Sequence, residues 1–397
     1  MAAVPTLSDL LRPTTVGSFL DDTWGRAPGV FRHDPGGDPL LTLDGFERML
    51  ASLNRAHEGW LQLARGGRRV VPAEMVDADG LLDLRQVRAA FRDGETLYLT
   101  KAHRLSPSLM RLGRSVEVEL AGHGVALRSP VSAHVFLTPP GSQGFPPHQD
   151  EHGSIVVQLD GSKEWAVHPP AATGEVRRPG GVDLLALGPP TAYRLGPGDV
   201  LYVPEWWAHE ARTSSSHSLH VTLRAFPLRW ADLVAGLCEM HPGLREALPR
   251  GVAGNPKALT ELVVELLGSR AFLDPLPGQV EAEVRRRSMP STVLPDDGLR
   301  QQLLLDRIGP DTRLVRSAGM VAQVVEDGGA VTITFPGGAI RGPAALRDVF
   351  DEVAASDEVR AADLPLPPGD DDPRLDVVRR MVRDGLLRLA DDPGRSR

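Results

Sequence analysis

The residues best suited to chemistry lie near the middle of the chain, at His148 and Asp150. Only Gln149 separates them, and on an extended chain residues i and i+2 project from the same face. An imidazole and a carboxylate placed in this way can reach one metal ion. His209, which follows the β-like run Asp199–Val203, is the candidate third ligand. Two histidines and a carboxylate on one side of an ion leave three coordination positions open, as in non-haem Fe(II) oxygenases.

The spacing alone leaves other interpretations open. An HxD pair occurs by chance in many proteins, and the chain has 12 histidines. Both candidate segments lie at the edges of β-like runs within one region, which favours a shared site. The same three ligands could also hold Zn²⁺ or Mn²⁺ in an isomerase or a hydrolase.

Lysine usage marks a further position. The chain has three lysines, Lys101, Lys163 and Lys257, whereas arginine is abundant. A compact ammonium where arginine is the common choice indicates a spatial requirement. If Lys163 points into a barrel, an anionic ligand would supply the missing charge, because an unpaired buried cation is costly. The alternative is a solvated turn after Gly161.

The local sequence pattern changes between residues 130 and 227, and the new pattern predicts the strands that position these side chains. Short β-type runs are separated by Pro/Gly turns such as Pro139-Pro140-Gly141, which is typical of a sandwich or barrel, here of the jelly-roll type. The predicted runs are Val131–Thr138, Gly153–Leu159, Glu164–His168, Thr191–Leu195, Asp199–Val203 and His217–Phe226.

The flanking regions differ from the barrel. Residues 1 to about 125 are mixed, with a helical pattern at Ser106–Ala121, and residues 228 to about 290 are helical. After Pro295, two β-like runs flank the hairpin signal Asp327-Gly328-Gly329. We therefore predict an α+β chain with a jelly-roll domain at 1–227 (core motifs 130–227), a helical region at 228–295, which could be a dimer interface or could pack on the barrel, and a winged-helix-like domain at 296–397.

Composition excludes several classes of protein. The chain has 397 residues and a net charge of −8, so it carries no global basic field for nucleic acid. No run of about 20 apolar residues is present, and no secretory signal is visible. A single cysteine, Cys238, excludes an intrachain disulfide and a cysteine-cluster metal site. These features predict a cytoplasmic protein.

Several spaced segments resemble the JmjC-type ribosomal oxygenases of the cupin superfamily. The segments are Val135–Phe145, His148–Asp150, Gln158–Trp165, Gly198–Pro204 and His217–Leu223. The resemblance implies a double-stranded β-helix (jelly-roll) barrel, followed by a helical dimerisation region and a winged-helix domain. It also implies an enzyme, a 2-oxoglutarate-dependent dioxygenase that uses Fe(II) and O₂ to hydroxylate an arginine or histidine of a ribosomal protein, and a homodimer.

Carried over by position, the resemblance makes His148, Asp150 and His209 the iron ligands. It makes Lys163 the partner of the distal carboxylate of 2-oxoglutarate. Two further candidates share one face of the last strand. Thr222 could donate its hydroxyl to the same carboxylate, and Arg224 could do likewise or reach the substrate.

The chain departs from the family at two positions. His134 and Phe136 stand where members often have Asn and Tyr. Phe136 has no hydroxyl, so one hydrogen bond to 2-oxoglutarate is lost, which is worth roughly 1.5–3 kcal/mol when the partner is charged. His134 could add a donor or perturb the metal site. Glu151 and His152 flank the ligands and are expected to be solvated loop residues, with contact to substrate at the barrel mouth as the alternative.

Other functions stay open at this stage. A peptide natural product or a small molecule could replace the ribosomal substrate, since fold alone does not determine substrate. A non-catalytic binding protein acting through the C-terminal domain is a further alternative. Binding of nucleic acid there is disfavoured, because acids such as Asp348, Asp351 and Asp357 accompany Arg347 and Arg380 and repel phosphate.

Overall fold

The computed structural model describes residues 4–32, 39–70, 75–170, 180–181, 187–240, 242–248, 255–288, 298–317, 320–365 and 373–390. The chain divides into two compact units, Met1–Ser288 and Met289–Arg397. The predicted boundary at 295/296 lies outside the described residues, and the three-domain division stays a prediction. Within the described part of the chain, no helix is both long and apolar enough to cross a membrane.

The first unit begins with short helices and strands that cover one side of a barrel. The helices are α1 (Leu7–Leu10), α2 (Val16–Asp22), α3 (Leu43–Ala51), α4 (Leu84–Arg92) and α5 (Pro107–Gly122), and the strands are β1 (Gly29–Arg32), β2 (Leu61–Arg65), β3 (Arg68–Val70) and β4 (Thr96–Leu99). Ser106 caps α5, its Oγ accepting from the Leu109 N–H. The helical pattern predicted at Ser106–Ala121 is confirmed.

The barrel consists of two antiparallel sheets. Its strands are β5 (Ser132–Thr138), β6 (His148–Gln149), β7 (Gly153–Gly161), β8 (Lys163–His168), β9 (Gly180–Gly181), β10 (Thr191–Leu195), β11 (Asp199–Val203), β12 (Ala208–Arg212) and β13 (Ser218–Ala225). The larger sheet has the order β1-β11-β7-β13-β5-β4-β2-β3, and the smaller has the order β10-β8-β12-β6-β9. All six predicted β runs are confirmed within two residues at each end, and the antiparallel α+β class is confirmed.

Alternation along β13 shows how the sequence divides the two faces of the larger sheet. Leu219, Val221 and Leu223 are fully buried and belong to the same hydrophobic cluster as Leu109 and Leu112 of α5. The intervening residues of β13 point to the opposite face, because successive side chains in a strand alternate. That face lines a cavity between the two sheets, where His220, Thr222 and Arg224 project.

Four helices follow the barrel within the first unit. They are α6 (Trp230–Met240), α7 (Pro256–Gly268), α8 (Arg270–Leu273) and α9 (Leu276–Ser288). Several apolar side chains of this region are exposed, among them Trp230 (83%), Val264 (67%) and Val234 (53%). The predicted helical character is therefore confirmed, and the dimerisation role stays a prediction.

The second unit has a hydrophobic core of its own. Its elements are α10 (Gly298–Gln302), β14 (Arg313–Arg316), β15 (Gln323–Asp327), β16 (Ala330–Phe335), β17 (Gly338–Pro343), α11 (Arg347–Ala355), β18 (Glu358–Arg360), α12 (Pro373–Arg383) and β19 (Leu387–Leu389). They include two three-stranded sheets, β18-β14-β19 and β15-β16-β17. The predicted hairpin is present, with Gly328 and Gly329 at positive φ in its turn. The winged-helix assignment stays a prediction.

Candidate metal and anion site

Three of the predicted site residues converge in the cavity between the two sheets. His148 on β6 and His209 on β12 are register partners on adjacent strands. Asp150 follows β6, and its Oδ2 lies 3.7 Å from His148 Nε2 and 3.8 Å from His209 Nε2. One donor atom from each residue lies within 4.8 Å of the others. The structure therefore assembles the two imidazoles and the carboxylate on one side of a common point.

The imidazoles of His148 and His209 are held in the same tautomer. His148 Nδ1 lies 2.9 Å from the carbonyl oxygen of Pro146, and His209 Nδ1 lies 3.0 Å from that of Trp207. A carbonyl oxygen can only accept, so each Nδ1 carries the proton and donates it. The lone pair of each ring is then on Nε2, the nitrogen nearer Asp150. Such hydrogen bonds to Nδ1 are how proteins commonly orient histidine ligands.

A third imidazole, that of His152, supports the carboxylate. Its Nε2 lies 3.5 Å from Asp150 Oδ2, and its Nδ1 lies 3.2 Å from Ser154 Oγ. Burial lowers the pKa of His152 to about 3 and that of His209 to about 4. Burial alone would raise the pKa of Asp150, but the imidazoles around it bring that pKa down to about 2. At neutral pH the carboxylate is an anion and these two buried imidazoles are neutral, as metal binding requires.

The register of β13 against β5 orders the cavity from a closed end to an open end. The partners are Ser218 with Thr138, His220 with Phe136, Thr222 with His134, and Arg224 with Ser132. The first pair is fully buried and the last pair is partly exposed. We call the surroundings of Thr138 the deep end and those of Arg224 the mouth. Asp150, with 27% of its side chain exposed, lies towards the mouth.

Lys163 is the cation of the deep end. It is 5% exposed, and its Nζ donates to Thr138 Oγ1 at 2.9 Å. Among the residues that the structure describes, no carboxylate lies within ion-pair distance of this ammonium, and its burial lowers its pKa to about 7. The solvated-turn alternative is therefore wrong. Lys163 points inward, and none of the described carboxylates serves as its counter-ion.

The turn before Lys163 depends on a glycine. Gly161 has a φ of +66°, and a Cβ built on it would lie 1.9 Å from the carbonyl oxygen of His217. Any other residue would clash with backbone there. The Asp160-Gly161 turn thus brings β8 back across the barrel with Lys163 as its first residue.

Aromatic rings form one wall between the deep end and the mouth. Phe136 stacks on Tyr98 at a centroid distance of 4.4 Å and on His220 at 4.8 Å. His220 is 1% exposed, and burial holds its pKa well below the usual range, so the ring is neutral. Phe136 therefore lines the cavity as predicted, but as the middle ring of a three-ring stack.

Polar residues at the mouth form a hydrogen-bonded chain. Arg224 donates through its second terminal nitrogen to Tyr98 Oη at 2.8 Å, and Tyr98 Oη lies 2.9 Å from His134 Nδ1. The other ring nitrogen of His134 lies 3.0 Å from Ser132 Oγ. Burial lowers the pKa of His134 to about 2. Both of its nitrogens are thus engaged, and His134 stands behind the lining while Tyr98 and Arg224 face the cavity.

Several lining residues were not anticipated from the sequence. Trp165 and His220 also line the cavity. Each lies two residues from a predicted site residue on the same strand, so the period of two along a strand would have revealed them. Tyr98 comes from β4, whose pairing beside β5 has no local sequence signal. His152 is 4% exposed, so the expectation that it is solvated is wrong.

The residues present fit a divalent transition metal together with an anion. Two Nε2 lone pairs and a carboxylate match the donor set of a metal site with open positions. At the deep end, the ammonium of Lys163 has hydroxyl groups beside it, since Thr96 Oγ1 donates to Thr138 Oγ1 at 3.3 Å. A dianionic ligand that spans from the metal to Lys163 would satisfy both ends. His209 pairs with Val167, four residues along β8 from Lys163, which is about 13 Å of strand.

Comparisons with known proteins find similarity in the barrel region and, more weakly, along most of the chain. Residues 118–233 match the model of the JmjC domain. The bifunctional lysine-specific demethylase and histidyl-hydroxylase NO66 of Drosophila pseudoobscura pseudoobscura is 28% identical over 323 residues, covering 74% of this chain and 33% of that protein. Ribosomal oxygenase 2 of Rattus norvegicus is 27% identical over 336 residues, covering 79% and 68%. The chain spans between a third and a half of the length of its first two Drosophila relatives.

Solved structures agree with the fold. The ribosomal oxygenase YcfD of Escherichia coli superposes with a TM-score of 0.53 at 16% identity, covering 96% of this chain and 99% of that one. A second structure of YcfD, in complex with cobalt and 2-oxoglutarate, gives 0.52 at 17% identity and covers 94% and 98%. These likenesses concern the fold alone. Residues 118–233 thus match the JmjC domain, and the chain as a whole is similar to proteins named as ribosomal oxygenases.

Proposed function

We propose that this protein is an Fe(II)- and 2-oxoglutarate-dependent oxygenase that hydroxylates a side chain of a ribosomal protein. The observation that carries the proposal is the pairing of two sites in one cavity. Two histidines and a carboxylate converge towards the mouth, and at the deep end lies an ammonium that pairs with no carboxylate in the described part of the chain. A metal that needs open positions and a dianion that needs a cation fit this arrangement together.

Each residue has a separate role in this proposal. His148, Asp150 and His209 hold Fe(II), and Lys163 binds the distal carboxylate of 2-oxoglutarate, with the hydroxyl of Thr222 as a second donor. When bound, iron, 2-oxoglutarate and O₂ together supply the oxidising chemistry that inserts oxygen into a C–H bond. The three-ring stack of Tyr98, Phe136 and His220 makes one wall of the cavity apolar, which excludes water from that side of the proposed reaction site.

The mouth favours a neutral target side chain. Arg224 carries a permanent positive charge beside the cavity, and Lys163 and the metal add positive charge further in. The charge of Asp150 and that of a bound dianion offset only part of it. A cationic side chain would meet net repulsion, whereas a neutral imidazole would not. Of the two activities in the name of the Drosophila relatives, this supports histidyl hydroxylation over lysine demethylation.

The test is a reaction with the ribosomal proteins of the native host, prepared from cells that lack this gene. We expect purified protein with Fe(II) and 2-oxoglutarate to form succinate in an O₂-dependent reaction. Mass spectrometry is then expected to find one added oxygen on a histidine of one protein. The variant His148→Ala is the control and is expected to do neither. Absence of succinate and of any modified residue with the wild-type protein would refute the proposal.

We further propose that helices α6 to α9 form the interface of a homodimer. The exposed apolar side chains Trp230, Val234, Val264 and Leu273 of these helices support this, because exposed apolar surface often marks a contact between proteins. Light scattering of the purified protein is expected to give twice the mass of the chain. The mass of a single chain would contradict it.

A further inference from the structure

The two loops that carry the metal-site residues touch each other through their backbones. Trp206, in the turn before β12, donates its N–H to the carbonyl oxygen of Asp150 at 2.7 Å. Trp206 has a φ of +68°, in the left-handed region. For a bulky residue that conformation is strained and persists only where its surroundings hold it. The spacing between Asp150 and His209 therefore depends on whatever holds the Trp206 turn.

The guanidinium of Arg229 contacts both loops. One terminal nitrogen donates to the carbonyl oxygen of Glu151 at 2.5 Å and lies 3.4 Å from Glu205 Oε2. The other lies 3.3 Å from Glu151 Oε2. The guanidinium carbon also lies 5.1 Å from the centroid of the Trp206 ring. Glu151 directly follows Asp150, and Glu205 directly precedes Trp206, so one side chain joins the two loops.

Arg229 is itself anchored at the start of α6. Its backbone N–H donates to Asp232 Oδ2 at 3.0 Å, and its carbonyl oxygen accepts from the Leu233 N–H. The side chains of Arg229 and Glu205 are 27% exposed and that of Glu151 is 35% exposed. Ion pairs at this depth are screened less than those on the open surface. The planar fork of arginine can also engage two acceptors at once, which a lysine cannot do.

We propose that Arg229 is a positioning residue for the metal centre. It holds the loop of Asp150 and the turn before His209 at the separation that one ion requires. Arg229 reaches the ion only through other residues, because its contacts are with Glu151, Glu205 and Trp206. The inference rests on the proposed function, since it assumes that the triad binds a metal.

The test measures binding of Mn²⁺ by calorimetry, without 2-oxoglutarate, O₂ or substrate. We expect Arg229→Gln to weaken binding by about 10- to 100-fold, the range seen when groups that orient metal ligands are removed. Arg229→Lys restores the charge but not the fork, and its affinity is expected to lie between the two. With Co²⁺ as the probe, the visible absorption is expected to change in Arg229→Gln and to return partly in Arg229→Lys.

The matched control is Arg128→Gln. Arg128 also pairs with Glu151, at 2.8 Å, and lies over Phe226 rather than over Trp206. The substitution Arg128→Gln removes one positive charge from the same ion-pair network, as Arg229→Gln does, but leaves the contacts of the Trp206 turn in place. We expect its affinity for Mn²⁺ to stay within about threefold of the wild type, well short of the loss expected when a metal-orienting group goes.

The outcomes separate this inference from the proposed function. If the wild-type protein does not bind Mn²⁺ or Co²⁺, the proposed function fails. If the wild type binds and a folded Arg229→Gln binds equally well, the positioning role is wrong. Should Arg229→Gln not fold, Glu205→Gln takes its place, because it removes one contact and leaves Arg229 in the structure. A loss of severalfold supports the proposal, and wild-type affinity overturns it.

Discussion

The two cations of the cavity, Lys163 at the deep end and Arg224 at the mouth, are held in opposite ways. Burial of Lys163 lowers its pKa to about 7, so its charge near neutral pH is sensitive to whether an anion is bound beside it. Arg224 carries a guanidinium, the permanently charged group of protein side chains, and its hydrogen bond to Tyr98 fixes its direction. Charge at the deep end therefore depends on the ligand, whereas charge at the mouth is permanent. The ligand-dependent charge of Lys163 suits binding of an anionic co-substrate. The permanent charge at the mouth suits discrimination between charged and neutral side chains of the substrate.

The largest expected effect is on the affinity for 2-oxoglutarate, which we expect to depend strongly on Lys163 and only weakly on Arg224. We expect Lys163→Ala to weaken binding by about 100-fold, because truncating one partner of a buried charge pair costs roughly 2–5 kcal/mol. Arg224→Gln is the matched variant and is expected to stay within about threefold. Calorimetric titration of 2-oxoglutarate into Mn²⁺-loaded protein measures both. Equal losses of affinity for 2-oxoglutarate in the two variants would contradict the separate roles of Lys163 and Arg224.

A second effect concerns pH. The pKa of Lys163 without ligand is about 7, so binding of 2-oxoglutarate above that pH requires uptake of a proton. We expect affinity to fall as pH rises from about 7 to 9, by up to about tenfold per unit. Titration at pH 8 in buffers of different ionisation enthalpy measures the proton taken up. An affinity that does not change with pH would place the pKa elsewhere.

The lowered pKa of Lys163 also makes the stability of the folded protein depend on pH. A rise in pH is expected to weaken binding of 2-oxoglutarate but to improve the contribution of Lys163 to stability. Between pH 7 and 10.5 the unfolded chain keeps a proton on Lys163 that the folded, ligand-free protein has released. The unfolded state then binds more protons, so the contribution of Lys163 to stability improves as pH rises over that range. Lys163→Met is therefore expected to raise the melting temperature at pH 7 more than at pH 10. A gap that is constant with pH would contradict this.

The smallest expected effect concerns the mouth. Tyr98→Phe removes the acceptor of Arg224 and the partner of His134 but keeps the ring stacked on Phe136. We expect a loss of about 1–2 kcal/mol in the free energy of unfolding, with affinity for 2-oxoglutarate unchanged within about threefold. Urea unfolding and calorimetry measure the two quantities. A large loss of affinity would move Tyr98 from the mouth into the binding of the co-substrate.

Local spacing allowed much of the site to be predicted. Because side chains alternate along an extended chain, the spacing of His148 and Asp150 predicted that they share one face. The short β-type runs that begin near residue 130 predicted the position of the barrel. Strand β12 was missed, because Ala208–Arg212 has no run of apolar residues and follows a turn. The strand nevertheless carries His209 and pairs it with His148. Polar strands that line a cavity lack the apolar pattern by which strands are recognised.

Contacts between distant segments could not be predicted. Tyr98 meets His134 and Arg224 only because β4 joins the sheet beside β5, and pairing of strands that are far apart in sequence leaves no local signal. Arg229 is one of many arginines in a chain that has few lysines, so its type alone indicated nothing. Its role follows from the meeting of two loops about 50 residues apart along the chain.

The order of residues along β13 has a kinetic consequence. In the proposed reaction, a ligand that enters by the mouth passes Arg224 on its way to Lys163, and a side chain that is seated at Arg224 closes that path. In the proposed reaction, 2-oxoglutarate therefore binds before the protein substrate. The hydroxylated side chain leaves before succinate does, and an excess of substrate over 2-oxoglutarate slows turnover by trapping a protein that lacks its co-substrate.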